Sequence, residues 1–319
     1  MAASAPKAGT GIRPVVCIGA VYLDTLAHAM VPVAPDTSTP ARFEVRLGGV
    51  AANVARALSR LAVPARLIGV CGDDQAAVEI RATLDREGVP HCLNVRIGMA
   101  TGRYIAFHGP DGRLAAACVD DHILSTAPAG LFDADLNDAI RNVGKDGLWF
   151  ADANCPPDML ARIAAHAPAG GLVFNGVSAA KAVRLTGVFN RATLVFLNRV
   201  EAAALSGGRS SATAEDLATA LATGGRTTVV VTDGADGLCL SASGQTVRLA
   251  GKPAPVKDVT GAGDALIAGT LAALARSMPL RDALDIGQAA ARLTVQSAGA
   301  VAPDLTWEKL WPAQGPSAS

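Results

Sequence analysis

The stretch Asp258-Val259-Thr260-Gly261-Ala262-Gly263-Asp264 runs directly into the apolar Ala265-Leu266-Ile267-Ala268-Gly269-Thr270-Leu271, and the rest of the chain is read as organised around this junction. It reads as a polar, glycine-rich turn that opens a buried helix. Glycines let a backbone approach a ligand closely, and the free amides and positive dipole end of a helix's first turn favour an anion. Asp264 places a carboxylate beside that anion site. An aspartate at a helix start also complements the dipole with no ligand present. Among amides suited to a phosphate, though, a carboxylate has the chemistry of a base that deprotonates a hydroxyl while the amides stabilise the transferring charge.

The other parts such a reaction needs require a large core. A chain of 319 residues, 50% hydrophobic and 18% charged, can bury one as one large domain or as a domain with a lid. Lysine plus arginine and aspartate plus glutamate each number 28, so no global field draws the chain to nucleic acid or an anionic membrane, and any phosphate affinity is local. This points to a small-molecule partner. The cysteines at 17, 71, 92, 118, 155 and 239 form no CxxC pair and sit mostly in apolar surroundings, which predicts buried, reduced thiols and no zinc site or disulfide framework. The opening MAASAPKAGTGI lacks the apolar run of a secretory signal, and no later segment has some 18 uninterrupted apolar residues, so the expectation is a soluble, cytoplasmic protein.

Taken in order, Arg13 to Gly19 is a short apolar run ended by glycine, as in a parallel strand covered on both faces. A dinucleotide fold is set aside because GxGxxG is absent and no helix follows. Residues 25 to 47 carry Pro32, Pro35 and Pro40, then the alternating Arg42 to Leu47, which suits exposed antiparallel strands. Gly48-Gly49 then opens a helix with Val50, Val54, Ala57, Leu58 and Leu61 on one face and Asn53 on its first turn. Alternation returns between His91 and Val119, where Gly109-Pro110-Asp111-Gly112 marks a hairpin. The two insertions, about 22–47 and 91–119, are read as halves of one small β-sheet lid on a single domain spanning 12–312, with flexible tails at 1–11 and 313–319. Tyr104 or Phe107 is a lid aromatic that either touches a substrate or faces solvent. The remainder alternates strand and helix: the strands 147–151, 172–175 and 193–197 lead into Asp152-Ala153-Asn154, Gly176-Val177-Ser178 and Asn198-Arg199-Val200-Glu201. The fold class is therefore α/β, a doubly wound, mostly parallel sheet, which binds ligands just beyond its strand C-termini.

These motifs, in this order, resemble the PfkB family of carbohydrate and nucleoside kinases related to ribokinase. The Asp258–Asp264 heptapeptide is similar to the family's DTTGAGD signature, and GGxxxNxAxxLxxL from Gly48 to its sugar-binding signature. The resemblance implies that Asp264 is the catalytic base, with Gly261, Ala262 and Gly263 forming the anion-holding turn. It implies that Asp24, Gly48, Gly49, Asn53, Asn154 and Lys181 bind substrate. Asn198, Thr232, Gly234, Gly237 and Gln288 would bind ATP, Gln288 at the adenine. Asn198 and Glu201 would organise Mg2+ through water, and Asp258 would lie by a monovalent cation, K+. A plain N-cap with glutamate three residues on explains NxxE equally well. The resemblance further implies a homodimer packed lid against lid.

Several strings, among them Asp36 to Pro40, Ala151-Asp152-Ala153-Asn154 and Val177-Ser178-Ala179-Ala180-Lys181, look more specifically like the family's pseudouridine kinases. Two departures bear on specificity: Tyr22 stands where related kinases often carry Asn, and Asn175-Gly176 replaces a common Asp-Pro. Three readings stay open: transfer from ATP to the 5′-hydroxyl of pseudouridine, the same transfer to another nucleoside or sugar, and a catalytically silent sugar or nucleoside sensor.

Overall fold

The computed structural model describes residues 11–311 except 35, 210 and 224; the expected tails lie outside the described residues apart from Gly11. The chain opens with strands β1 (Val15–Ile18), β2 (Tyr22–Ala29) and β3 (Ala41–Gly48), helix α1 (Val50–Arg60), β4 (Ala65–Cys71), α2 (Gln75–Arg86) and β5 (His91–Val95). There follow β6 (Arg103–His108), β7 (Leu114–Asp120), α3 (His122–Ser125), α4 (Asp133–Val143), β8 (Leu148–Asp152), α5 (Pro157–His166), β9 (Leu172–Asn175) and α6 (Ala179–Ala182). The last third contains β10 (Leu194–Asn198), α7 (Arg199–Ser206), α8 (Ala214–Ala222), β11 (Thr228–Thr232), β12 (Gly237–Ala242), β13 (Gln245–Ala250), α9 (Ala262–Ala275), α10 (Leu280–Val295) and α11 (Trp307–Leu310).

Nine strands form one sheet in the order β13-β12-β11-β10-β9-β8-β1-β4-β5, parallel except for the β11-β12-β13 meander. Strand residues alternate between its two faces. Val15, Cys17, Phe150 and Phe196 pack with α1, α2, α9 and α10, while Val16, Ile18, Trp149 and Val195 pack with α4, α5, α7 and α8. Strands buried on both faces explain the unbroken apolar runs in the sequence. Sheet order reverses at β1, which is flanked by β4 and β8. The crevice over such a point is where an open α/β sheet takes a ligand.

The second, four-stranded sheet has the order β3-β2-β6-β7, with β2 and β6 parallel at its centre. Its second segment begins at Arg103, which corrects the expected lid boundary: His91–Val95 pairs with β4 at the edge of the large sheet. An edge strand is half exposed, so its polarity alternates like that of a lid strand. The small sheet has two unlike faces. One carries Asp24, Arg46 and Tyr104; the other carries Phe43, Val45 and Phe107, with Phe43 67% exposed. Tyr104 is thus on the Asp24 side and Phe107 on the outer side. Cys17, Cys71, Cys155 and Cys239 are buried as expected, whereas Cys118, opposite Ile105 on the outer face, is exposed.

Helix α9 is apolar almost all round because it lies between α1 and α10. The α9–α10 crossing is closed by glycines. A β-carbon at Gly287 would come within 2.3 Å of Thr270 Oγ1 and 2.5 Å of the Leu266 carbonyl, and one at Gly269 within 2.9 Å of the Gly287 Cα. Gly287→Ala should therefore overpack the crossing and lower stability by about 1–3 kcal/mol in denaturant unfolding. An unchanged midpoint would show that the helices separate freely.

Candidate active site

The sheet delivers side chains to one place. Asp152 ends β8, Asn175 ends β9, and Asn198 and Thr232 end β10 and β11 as register partners. Facing them are the start of α1, the start of α9 and the polar face of the small sheet.

Helix α9 begins at Gly261, whose φ of 74° is open to glycine and costly for other residues. A β-carbon there would also meet the Ala300 carbonyl at 2.3 Å. Asp258 shapes the turn: its Oδ1 accepts from the Thr260 amide at 2.9 Å and its Oδ2 from the Gly299 amide at 3.0 Å. Among the described residues, no acceptor faces the amides of Gly263 and Asp264. Ala262 is bonded back to the Val259 carbonyl at 3.3 Å.

Asp264 is in the first turn of α9, and its Oδ2 accepts from Asn53 Nδ2 of α1 at 2.8 Å. Burial pushes its carboxyl up to about 7, the Asn53 bond opposes this, and the nearby carboxylates of Asp152, Asp24 and Glu201 add to the rise. These aspartates and the glutamate come from four different elements. Among the described residues, no three His, Cys, Asp or Glu side chains are close enough to cage a bare metal.

Asp24 occupies the space a side chain at Gly48 would need, with Oδ2 2.0 Å from that position. Its Oδ1 is buried without a hydrogen-bond partner, and burial pushes the carboxyl to about 6 against the charges of Arg56 and Arg46. A β-carbon at Gly49 would strike the Ala20 carbonyl at 2.4 Å, so this glycine lets α1 abut the end of β1. The Tyr22 hydroxyl, on the same face of β2 as Asp24, is also buried and unpartnered. Unpaired buried polar atoms beside a crevice are what a hydroxyl-bearing ligand would satisfy.

Asn154 and Lys181 meet but are engaged with protein. Asn154 donates Nδ2 to Asp152 Oδ1 at 2.8 Å, and its own Oδ1 accepts from Lys181 Nζ at 2.7 Å. Lys181 also pairs with Asp121 at 2.6 Å, just beyond β7. Asp121 escaped the sequence reading, and Asp152 was named there only within the strings that follow strand 147–151, with no role of its own. The left-handed backbone of Val177, a β-branched residue with φ of 65°, was not foreseen.

The capping box is fully formed: Glu201 N donates to Asn198 Oδ1 at 2.9 Å, and Asn198 N and Nδ2 donate to Glu201 Oε2 and Oε1 at 3.0 and 2.6 Å. Burial raises the Glu201 carboxyl, with the Asn198 amide opposing it. Gly234 lies in a short 3-10 turn after Thr232, and Gly237 starts β12 where a β-carbon would meet the Leu249 carbonyl at 2.1 Å. Gln288 of α10 borders a small hollow with Asp285 and Arg292 of the same helix and Lys252 of the segment after β13.

A family profile described as pfkB family carbohydrate kinase matches residues 13–307. The chain belongs to this family. As a PfkB kinase it is a phosphotransferase that acts on a hydroxyl group of a small molecule. It is 28% identical to the pseudouridine kinase of Escherichia coli (strain K12) over 302 residues, covering 92% of this chain and 93% of that protein. It is 27% identical to the bifunctional protein HldE of Nitrobacter hamburgensis, of which it spans only 61%. Among solved structures, a carbohydrate kinase from Agrobacterium tumefaciens superposes with a TM-score of 0.80 at 29% identity over 94% of this chain and 96% of that one. Ribokinase of Arabidopsis thaliana complexed with ribose and ATP shares the fold, with a TM-score of 0.77 at 22% identity, over 94% and 97%. No helix among the described residues is long and apolar enough to cross a membrane.

The Asp264 carboxyl gives a pH test of this geometry. A folded value of about 7 against an ordinary 3.8 means that its contribution to stability is present below about 3.8 and lost as pH rises through 7. Asp264→Asn cannot ionise, so it should melt above the native protein at pH 8, with the gap closing toward pH 4. A lower melting temperature at both pH values would show that the carboxylate acts chiefly as a helix cap.

Proposed function

We propose that this chain is an ATP- and Mg2+-dependent kinase of a primary hydroxyl on a ribosyl substrate, pseudouridine first, giving pseudouridine 5′-phosphate. The observation that carries the chemistry is Asp264: a carboxyl raised to about 7, held by Asn53, next to unpaired amides at the start of α9. A base with such a value is part ionised near neutrality and can take a hydroxyl proton. The amides of Gly263 and Asp264 would receive phosphoryl oxygens in line with that hydroxyl. Pseudouridine is favoured because the likeness to a pseudouridine kinase runs over nearly the whole of both chains.

Asp24, with its unpartnered Oδ1, would accept from sugar hydroxyls, and Asn53 would orient Asp264 toward the attacking oxygen. Lys181 and Asn154, already tied to Asp121 and Asp152, would present a rigid polar wall to the rest of the substrate. Thr232 and the Gly234 turn would flank the nucleotide phosphates. Asn198 and Glu201 suit hydrated Mg2+ better than a bare ion, since the capping box already uses their atoms and Mg2+ commonly keeps waters and substrate phosphates as ligands. Bound there, the ion would neutralise charge on the phosphates. Asp258 suits K+ less well, because both its oxygens accept backbone amides and the Arg46 guanidinium is 3.9 Å away. A homodimer through the small sheet is supported by the exposed apolar Phe43 and Val45 of its outer face.

A second reading, a kinase of another sugar, is favoured by Tyr22, 6% exposed with an unpaired hydroxyl. ATP consumption with a panel of pseudouridine, uridine, ribose and hexoses decides between the two. Pseudouridine should give the highest kcat/KM, and a free sugar ahead of every nucleoside would overturn the first reading. With the preferred substrate, Asp264→Asn should lower turnover about 10²- to 10⁴-fold while leaving ATP binding intact. Near-normal turnover would remove Asp264 from the mechanism. In sedimentation, the native chain should run as a dimer and Val45→Lys as a monomer; a native monomer counts against the lid contact.

A further inference from the structure

Arg46 lies on β3 opposite Asp24 of β2, within the polar face of the small sheet. Its guanidinium is divided. Nε and Nη2 donate to the two carboxylate oxygens of Glu44, the latter at 2.6 Å. Nη1 points away from Glu44 toward the phosphate turn, 3.9 Å from Asp258 Oδ2, and a β-carbon at Gly299 would come within 2.7 Å of it. That nitrogen is buried and has no hydrogen-bond partner. A buried donor held only by an ion pair at 3.9 Å, with no hydrogen bond made, is costly, and a guanidinium is well suited to phosphate oxygens. Arg46 also bridges the two halves of the crevice: one neighbour is Asp24, and the other is the Asp258–Gly299 contact that supports Gly261 through Ala300.

We propose that Arg46 is a catalytic residue of the phosphoryl transfer, its Nη1 donating a hydrogen bond to a non-bridging oxygen of the γ-phosphoryl group. In that step the bond from the γ-phosphorus to the β,γ-bridging oxygen breaks and its electron pair stays with ADP. A bond forms from phosphorus to the substrate oxygen, whose proton passes to Asp264. Glu44 fixes the guanidinium plane beforehand, so little freedom is lost when the phosphoryl arrives. The charge rides on the small sheet, so it is in place only when that sheet lies over the crevice. The assignment rests on phosphoryl transfer to a hydroxyl with Asp264 as the base, and is independent of which hydroxyl compound is the substrate.

The test compares Arg46→Gln and Arg46→Lys with the native enzyme in kcat, KM for ATP, melting temperature, and affinity for MgADP with and without aluminium fluoride, which mimics the transferring phosphoryl. Removing one preorganised donor to transition-state charge should lower kcat about 10²-fold in Arg46→Gln. MgADP affinity should stay within threefold, and the extra affinity conferred by aluminium fluoride should disappear. Arg46→Lys, which keeps the charge, should recover part of both and serves if the glutamine variant does not fold. A kcat within threefold of native in Arg46→Gln overturns the proposal, as does a kcat in Arg46→Lys no higher than in Arg46→Gln. So does an equal loss of MgADP with and without aluminium fluoride accompanied by a lower melting temperature, the signature of a structural latch. If no compound of the panel is phosphorylated, the substrate reading fails separately, and the slow hydrolysis of ATP by water supplies kcat for the same comparison.

Discussion

The buried carboxylate of Asp152 is the constraint on which the site depends. It is wholly inaccessible, and dehydrating it is offset by amide donors: Ala20 and Ala51 to Oδ2 at 3.0 and 2.9 Å, and the backbone and side chain of Asn154 to Oδ1 at 3.0 and 2.8 Å. Burial still raises its carboxyl, with those donors opposing the rise. The bonds tie the end of β8 to the turn after β1 and to the first turn of α1. From that clamp α1 extends Asn53 to Asp264, and Asn154 reaches Lys181 and, through it, Asp121 at the base of the small sheet. Unsatisfied, the same carboxylate would destabilise the fold. Satisfied, it sets the spacing of the whole crevice.

Charge is distributed unevenly around this clamp. Lys181, Arg56 and Arg184 are each committed to protein acceptors: Asp121, Glu87, and the Ala153 and Asn154 carbonyls. The carboxyls of Asp24, Glu201 and Asp264 are consequently left in a negative, poorly hydrated neighbourhood, and each is shifted upward. Strongly perturbed acids gathered in one crevice mark functional sites more often than structural ones. An enzyme that needs a base near neutrality gains from this arrangement, at some cost in stability.

What could be read from the sequence was local. The switch from polar turn to apolar helix at Gly261 signalled α9, because positive φ and free amides depend on adjacent residues. The Asn198–Glu201 box is likewise contained in four residues, and the apolar runs of β1 and β8 declare their burial. Long-range partners left no such trace. Asp152 meets Ala20 and Ala51 across 132 and 101 residues, and nothing in Ala-Asp-Ala-Asn announces either contact. Arg46 sat within an alternating segment like any exposed arginine. His91–Val95 was placed in the wrong sheet because half-exposed edges alternate alike wherever they lie. Gly48 was read for its place before α1, and nothing around it in the chain announces that the space beside it is filled by Asp24.

The parallel pairing at the centre of the small sheet has a kinetic implication. β2 and β6 are separated in the chain by β3, α1, β4, α2 and β5, and ends so far apart meet against a loop-closure entropy that local contacts do not pay. Once β1, β4 and β5 have paired with α1 packed on them, the intervening chain is compact and that entropy is largely gone. The order of assembly that follows is core first, with the two local pairs β2–β3 and β6–β7 joined to each other afterwards. Asp24 and Arg46 already face each other across the local β2–β3 pair, and Tyr104 joins them only when β6 pairs with β2, so the polar face of the small sheet is completed by its most distant contact.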